Sequence, residues 1–424
     1  MEHRLIPGDG YVLHCLKTAK FKTFSIALRF AGAFLPETVN ARAILPELLL
    51  DGTRSHPTRE RLQAKMDSLY GLSVSVGTEK VGRESVIGFD LKAVDGRFLP
   101  GDGSTLEEAL DLLREIVCEP RLYHGGFRKK YLSEEVRLLQ EDFEAEYADK
   151  GEYAFNRFMA LMFSEELHRV RAKGVYETLG DLTAEDLSRA HRQMFEGDHV
   201  TILAVGDFDF DQIAEAVASR FSFRPAPRGE EWLDCETPAF REPRRLTETG
   251  EVKQARLHAG YRLGVRFGDP LYHAAVLLSA VLGEFDHSKL FRILREENAL
   301  CYSVSSFYDS NKGFLAVTAG TEPAQAEKAL ALLEDIRKDF AAGGLTEAEL
   351  ALAKESVAKR IRQNADSPER LANLEFLYRR VLGRGYSPEA SLSALRAVRK
   401  EDVVALAGRL VPDFTYVLTG RDSA

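Results

Sequence analysis

Glu47 is the residue around which chemistry is first sought, because of what stands three positions before it and one after. In the stretch Ala41 to Thr53, ARAILPELLLDGT, the side chains of Ile44, Glu47 and Leu48 share one helix face. A helix with histidine, glutamate and histidine at these positions, His-x-x-Glu-His, offers two imidazole nitrogens to zinc and a carboxylate to the attacking water. Here both imidazole positions are aliphatic, and a lone carboxylate neither holds the metal nor activates its water. Taken alone, the stretch reads first as an ordinary core helix, with Ala43, Ile44, Leu45, Leu48, Leu49 and Leu50 inward and Glu47 at the edge. No H-x-x-E-H, H-E-x-x-H or H-x-x-x-H pair occurs among the 10 histidines. The four cysteines, Cys15, Cys118, Cys235 and Cys301, show no C-x-x-C spacing, so neither a disulfide framework nor a cysteine zinc site is indicated.

The elements that must position Glu47 occur twice. Phe24–Phe30 reads as a strand leading into the helix at Ala41, and Ala255–Tyr261 as a strand leading into a helix over Leu271–Leu282. After each comes a second helix and an alternating strand, Leu72-Ser73-Val74-Ser75 in one half and Tyr302-Ser303-Val304-Ser305 in the other. Each half then closes alike. Glu185-Asp186 and Glu401-Asp402 open a helix, a β-rich strand follows (His199–Val205 and Tyr416–Thr419), and Gly206-Asp207 and Gly420-Arg421-Asp422 end it. These pairs recur at offsets of 216 and 214 residues, as Glu185/Glu401 and Gly206/Gly420 show. Between the halves, Arg224-Pro225-Ala226-Pro227-Arg228-Gly229-Glu230-Glu231, Pro238 and Glu242-Pro243 read as a linker. The sequence thus predicts an α+β fold of two homologous domains, each an antiparallel sheet flanked by helices: residues 1–223, a linker at 224–250, and 251–424.

Ser288 to Ser303, SKLFRILREENALCYS, places Arg295 and Tyr302 seven positions apart within Leu-Arg-Glu and Leu-Cys-Tyr-Ser. The segment resembles the C-terminal substrate-binding segment of the insulinase, pitrilysin and mitochondrial-processing-peptidase family, the metallopeptidases with the inverted zinc motif. The resemblance covers nearly the whole chain. It implies that Arg295 and Tyr302 reach a zinc site in a facing domain and contact substrate near the scissile carbonyl. That chemistry suits them, since a guanidinium offers several donors and a phenol can bond a developing oxyanion. The competing reading is a solvated helix face, Arg292 and Arg295 paired with Glu296 and Glu297, and a half-buried Tyr302. Gly71–Thr78, GLSVSVGT, resembles the strand on which the family docks substrate by β-augmentation. Ser75-Val76 replaces the family's Asn-Ala there, with Thr78 two residues on. Glu134 and Glu141 resemble the downstream glutamate pair whose second member ligates zinc, or are acids on an exposed helix. The departure from the family lies at Ile44 and Leu48, where both histidines belong, and in Gly52-Thr53, one residue closer than usual. Glu47 and Glu141 are too few and too hard for zinc, so no metal is expected in this chain.

At 424 residues the chain has room for two to three domains. Its 45% hydrophobic and 29% charged content suits a globular protein, and a net charge of −9 argues against nucleic acid or an anionic membrane as partner. With no signal-type or spanning apolar stretch, a cytoplasmic location is expected. The resemblance implies a division of labour seen among bacterial members, one chain carrying the zinc motif and a related chain the Arg/Tyr pair. The expected function is a non-catalytic, substrate-binding subunit of a zinc-dependent peptidase complex, inactive alone. It would bind extended peptides or unfolded protein beside a zinc-bearing homologue, as heterodimer or homodimer, with zinc in the partner. Two other readings stand beside it: a peptide-binding or assembly protein without catalytic role, and an active metalloendopeptidase with an unrecognised metal site.

Overall fold

The computed structural model describes residues 1–100, 105–224 and 242–420. In chain order the first elements are β1 (Glu2–Pro7), β2 (Tyr11–Lys17), β3 (Thr23–Ala33), α1 (Val39–Leu50), α2 (Arg59–Ser68), β4 (Ser73–Val81) and β5 (Glu84–Val94). Next come α3 (Thr105–Cys118), α4 (Lys129–Ala148), α5 (Lys150–Met162), α6 (Ala184–Glu196), β6 (His199–Gly206) and α7 (Phe210–Ala218). Then follow β7 (Arg244–Gly250), β8 (Ala255–Arg262), α8 (Tyr272–Ser279), β9 (Cys301–Asp309) and β10 (Phe314–Thr321). The last are α9 (Ala326–Ala341), α10 (Glu347–Asn364), α11 (Pro368–Leu382), α12 (Pro388–Ala397), α13 (Lys400–Ala407) and β11 (Val411–Gly420). The linker expected at 224–250 falls largely on residues 225–241, which lie outside the described residues, as do Cys235 and Arg421-Asp422.

The chain divides into two compact units, and each takes a helix from the opposite half of the sequence. One comprises Met1–Phe143, Val170–Asp234 and Asn364–Tyr386; the other comprises Glu144–Arg169, Cys235–Gln363 and Ser387–Ala424. The first unit holds a six-stranded sheet in the order β1-β2-β6-β3-β5-β4, and the second a five-stranded sheet in the order β7-β11-β8-β10-β9. The internal repeat is visible in the pairing. β6 runs parallel to β2 and antiparallel to β3, as β11 runs parallel to β7 and antiparallel to β8. The α+β architecture of two helix-flanked sheets expected from the sequence is therefore the one observed, with one parallel pair in each sheet.

The recurring Glu-Asp at the helix starts has a local cause. Asp186 Oδ2 accepts from the Thr183 N–H at 3.0 Å, and Asp402 Oδ2 from the Arg399 N–H at 2.9 Å. In each half the aspartate at the third helical position reaches back to the residue before the helix and satisfies a donor the helix leaves open.

In the first unit, alternate residues of the central strands, Ile26, Leu28, Phe30, Ile202, Ala204, Ile87, Phe89 and Leu91, pack in one core with α1, α3 and α6. The opposite face receives α11 through polar contacts. Arg380 Nε donates to Glu84 Oε2 at 3.0 Å and its Nη2 donates to Glu84 Oε1, and both side chains are buried. Glu375, also buried, accepts from Arg379 Nε at 2.8 Å and from the Tyr386 N–H at 2.7 Å, and faces His3 of β1 at 3.5 Å. Breaking such buried pairs exposes an uncompensated charge, so they fix where α11 sits.

In the second unit, one sheet face packs with α8, α9, α10 and α13. The other packs with α5, whose Ala154, Phe158 and Met162 meet Phe314, Ala316, Phe414 and Tyr416. Gly260 permits this contact: a Cβ there would stand 2.5 Å from Met162 Sδ and 2.8 Å from Phe158. The helix expected over Leu271–Leu282 is α-helical only to Ser279 and continues as a π-turn over Ala280–Glu284.

Candidate functional site

Three places carry the residues singled out in the sequence: α1 with its acidic surroundings, the edge strand β4, and the segment joining a π-turn to β9.

Ile44 and Leu48 point into the core of the first unit, 2% and 5% exposed, while Glu47 faces solvent. Pro46, one residue before Glu47, has no N–H to give to the Arg42 carbonyl four residues earlier. That carbonyl accepts instead from Thr78 Oγ1 of β4, at 3.0 Å. The motif helix is thus stitched to the strand expected to dock substrate. The Thr78 hydroxyl does a structural job, and Arg42 in turn is buried against Asp198 at 2.8 Å and Ser85 Oγ at 2.9 Å.

The carboxylates near α1 already have a cation among them. Arg59, on α2, lies with Nε 3.0 Å from Asp51 Oδ1 and Nη2 3.4 Å from Glu135 Oε1. Arg121 Nη2 approaches the other Asp51 oxygen at 3.2 Å. Desolvation raises the carboxyl pKa of Glu47 against the pull of Arg59. It raises that of Glu135 as well, with Asp51 and Glu47 adding repulsion that Arg59 partly offsets. Glu135 is the α4 acid that sequence reasoning missed. It is 8% exposed on the stripe of Leu132, Leu139 and Phe143, whereas Glu134 and Glu141 face outward. Glu141 is held by Arg137 at 2.5 Å in an exposed pair one helix turn apart.

Zinc does not fit this arrangement. Two of the motif positions are buried hydrocarbon, and the inward glutamate faces a guanidinium whose charge repels a second cation. Among the described residues no group of three or more His, Cys, Asp or Glu side chains is placed to hold a metal. Nor are thiolates at hand among the described residues, since burial pushes the Cys15 thiol up to about 12 and those of Cys118 and Cys301 up to about 11.

Among the described residues β4 pairs with β5 alone and forms one edge of its sheet. Ser75 is exposed and Val76 half-buried on it. An edge strand leaves one row of N–H and C=O groups free to pair with an added strand.

In the second unit the backbone departs from regular geometry three times between Phe291 and Tyr302. Phe291–Glu297 is a π-turn, Ala299 is left-handed with φ of 50°, and the β9–β10 register shifts where Ser303 faces Gly320 but Cys301 faces Thr321. Tyr302 is the extra residue of that bulge, on an edge strand. Each irregularity re-aims a side chain at some cost in stability, and such features collect at functional sites. Arg295 extends from the π-turn over the Phe291 ring, 4.6 Å from its centre, and is exposed. It makes no ion pair among the described residues. Arg292 is the one that pairs, at 2.5 Å from Glu297. Tyr302, 53% exposed, donates to Glu322 Oε1 at 2.8 Å, and that bond raises the phenol pKa. Glu322 had no signal in the sequence, because it follows the end of β10 and lies 20 residues from Tyr302 in the chain.

The model of the peptidase M16 inactive domain matches residues 181–357. A Bacillus subtilis (strain 168) protein named "Probable inactive metalloprotease YmfF" is 30% identical over 416 residues, covering 98% of this chain and 97% of its own length. The chain belongs to the M16 peptidase family. Two solved structures share the M16-like fold across the chain. A conserved protein from Enterococcus faecalis V583 superposes with a TM-score of 0.92 at 24% identity, covering 100% of this chain and 99% of its own. A peptidase M16 inactive domain from Pseudomonas fluorescens gives 0.80 at 18% identity, covering 99% and 98%. Similarity to M16 proteins described as inactive agrees with the aliphatic Ile44 and Leu48, and together they support a non-catalytic role. No helix among the described residues is long and apolar enough to cross a membrane.

Proposed function

We propose that this M16 chain is the substrate-binding subunit of a peptidase pair, taking extended peptide on an edge strand and supplying Arg295 and Tyr302 to a zinc-bearing homologue. The observation that carries the reading is the upkeep of the Arg295–Tyr302 segment in a chain without zinc ligands. A π-turn, a left-handed alanine and a bulge all act to present two exposed polar side chains, one of them a guanidinium with no ion-pair partner among the described residues. In the pair, Arg295 would donate to a substrate carbonyl. Tyr302 would exchange its bond to Glu322 for one to the oxyanion formed as zinc-bound water attacks, a bond that strengthens as charge develops. The free edge of β4 at Ser75 and Val76 would hold peptide through the backbone, which suits unfolded segments of varied sequence.

A second reading, an assembly protein that binds peptide without serving catalysis, is favoured by the occupied phenol of Tyr302. The two separate on co-expression with a zinc-motif homologue from the same genome. A peptidase complex that loses turnover on Tyr302→Phe, with zinc content unchanged, supports the subunit. An inert oligomer supports the assembly protein.

A further inference from the structure

On the α5 face of the second unit's sheet lies a cavity of about 340 Å³. Its walls include Phe155, Phe307, Arg256, His258, Ser303 and Thr318, and its size suits a ligand of about one amino-acid residue. His258 is 4% exposed, yet neither ring nitrogen has a hydrogen-bond partner among the described residues. The ring is fixed all the same, stacked on Phe158 at 5.4 Å and on Tyr416 at 6.2 Å, with Phe155 edge-on at 5.9 Å. Buried polar atoms in folded proteins are nearly always bonded, so an imidazole held rigid with both nitrogens open is an exception that asks for a ligand.

Arg256, half-buried on the same strand, makes no hydrogen bond or ion pair among the described residues. Gly320 leaves it room, since a Cβ there would meet the guanidinium at 2.9 Å and Ser303 Oγ at 3.0 Å. The acid that senses it, Asp149, is committed to the start of α5, accepting from the N–H groups of Gly151 at 2.8 Å and Glu152 at 3.1 Å. Burial, then the charge of Arg256, hold His258 down at about 4. At neutral pH it therefore offers one N–H donor and one acceptor. Thr318 Oγ1 and Ser305 Oγ share a bond at 3.0 Å, and the Phe155–Phe307 pair supplies an apolar wall.

We infer that this cavity binds a small carboxylate with an aromatic or aliphatic body, its oxygens on Arg256 and the His258 N–H and its body against Phe155 and Phe307. A guanidinium beside a neutral N–H donor matches a carboxylate, whose charge-assisted bonds favour it over an uncharged amide. The ligand is either a free acid or the C-terminal residue of a peptide. The inference does not rest on the role proposed for Arg295 and Tyr302, which lie outside the cavity lining.

The full chain is titrated calorimetrically with 3-phenylpropionate, N-acetyl-phenylalanine and N-acetyl-phenylalaninamide, with histidine ring signals followed by NMR. At least one acid is expected to bind at least tenfold more tightly than the amide and to move the His258 signals, and Arg256→Gln to weaken it by about tenfold. Binding of 3-phenylpropionate alone assigns the site to free acids, and binding of N-acetyl-phenylalanine assigns it to peptide C-termini. His258→Phe, which keeps the stacked ring, should weaken binding as well. Equal affinity for acid and amide, affinity unchanged in Arg256→Gln, or no binding up to about 10 mM overturns the inference.

Discussion

The bond between Thr78 and the Arg42 carbonyl makes a prediction that can be worked through in energy. Pro46 opens that carbonyl, and the Thr78 hydroxyl closes it at 3.0 Å. Arg42 itself is 1% exposed, so little water is available to take the hydroxyl's place. Thr78→Val keeps the branched shape and removes the donor. Leaving such an acceptor unsatisfied costs about 1–3 kcal/mol. At roughly 2–4 °C per kcal/mol for a unit of this size, melting should fall by about 2–12 °C. Pro46→Ala restores the N–H that an α-helix would supply there, and the Arg42 carbonyl then has a partner without Thr78. In that background Thr78→Val should cost less than about 0.5 kcal/mol, which leaves a coupling of about 0.5–3 kcal/mol between the two sites. The assay is a double-mutant cycle by denaturant unfolding of the four proteins. Additive effects would show that Thr78 does not serve the carbonyl opened by Pro46, and the account of how α1 is fastened to β4 would fall.

Other outcomes follow from the same structure. Installing Ile44→His with Leu48→His should lower stability by about 2–5 kcal/mol, because both sites are buried in hydrocarbon, and should still give no stoichiometric zinc while Arg59 faces Glu135; metal analysis and melting check both. Burial raises the Glu375 carboxyl, but bonds from His3, Arg379 and the Tyr386 N–H outweigh it and bring it from 4.5 to about 2. A carboxyl held below its unfolded value stabilises above that value, so about 3 kcal/mol should be present above pH 4.5 and vanish as pH falls toward about 2. Glu375→Gln should therefore unfold earlier in urea at pH 7 and converge with the parent only as pH falls to about 2; a gap unchanged with pH would contradict the assignment. In a reconstituted pair, Tyr302→Phe should lower turnover by about 100-fold, the scale of losing one oxyanion donor, with zinc unchanged.

The fold was legible where the signal is local. Alternation gave β4 and β9, the doubled Glu-Asp marked two helix starts, and the order of elements exposed the repeat. The exchange of α5 and α11 between units was not, since an apolar stripe such as Ala154, Phe158 and Met162 says that a helix is covered and not by which sheet. The α4 acids show the limit of motif matching. The family spacing selects Glu134 and Glu141, whereas the apolar phase of Leu132, Leu139 and Phe143 carries Glu135 inward, a difference of one residue and about 100° of helix. Arg295 and Tyr302 were singled out by context alone. The π-turn and bulge that present them, and the Glu322 that holds the phenol, depend on tertiary register that no sequence period encodes.

The central claim, a chain that holds substrate for another's zinc, is tested most directly by one paired measurement. The chain is purified alone and with its zinc-motif homologue, and each preparation is assayed for bound zinc and for cleavage of an unfolded polypeptide. The account predicts no stoichiometric zinc and no cleavage from the chain alone, and one zinc per pair with cleavage exceeding that of the homologue by itself. About one zinc per isolated chain, or a homologue equally active without it, would contradict the account.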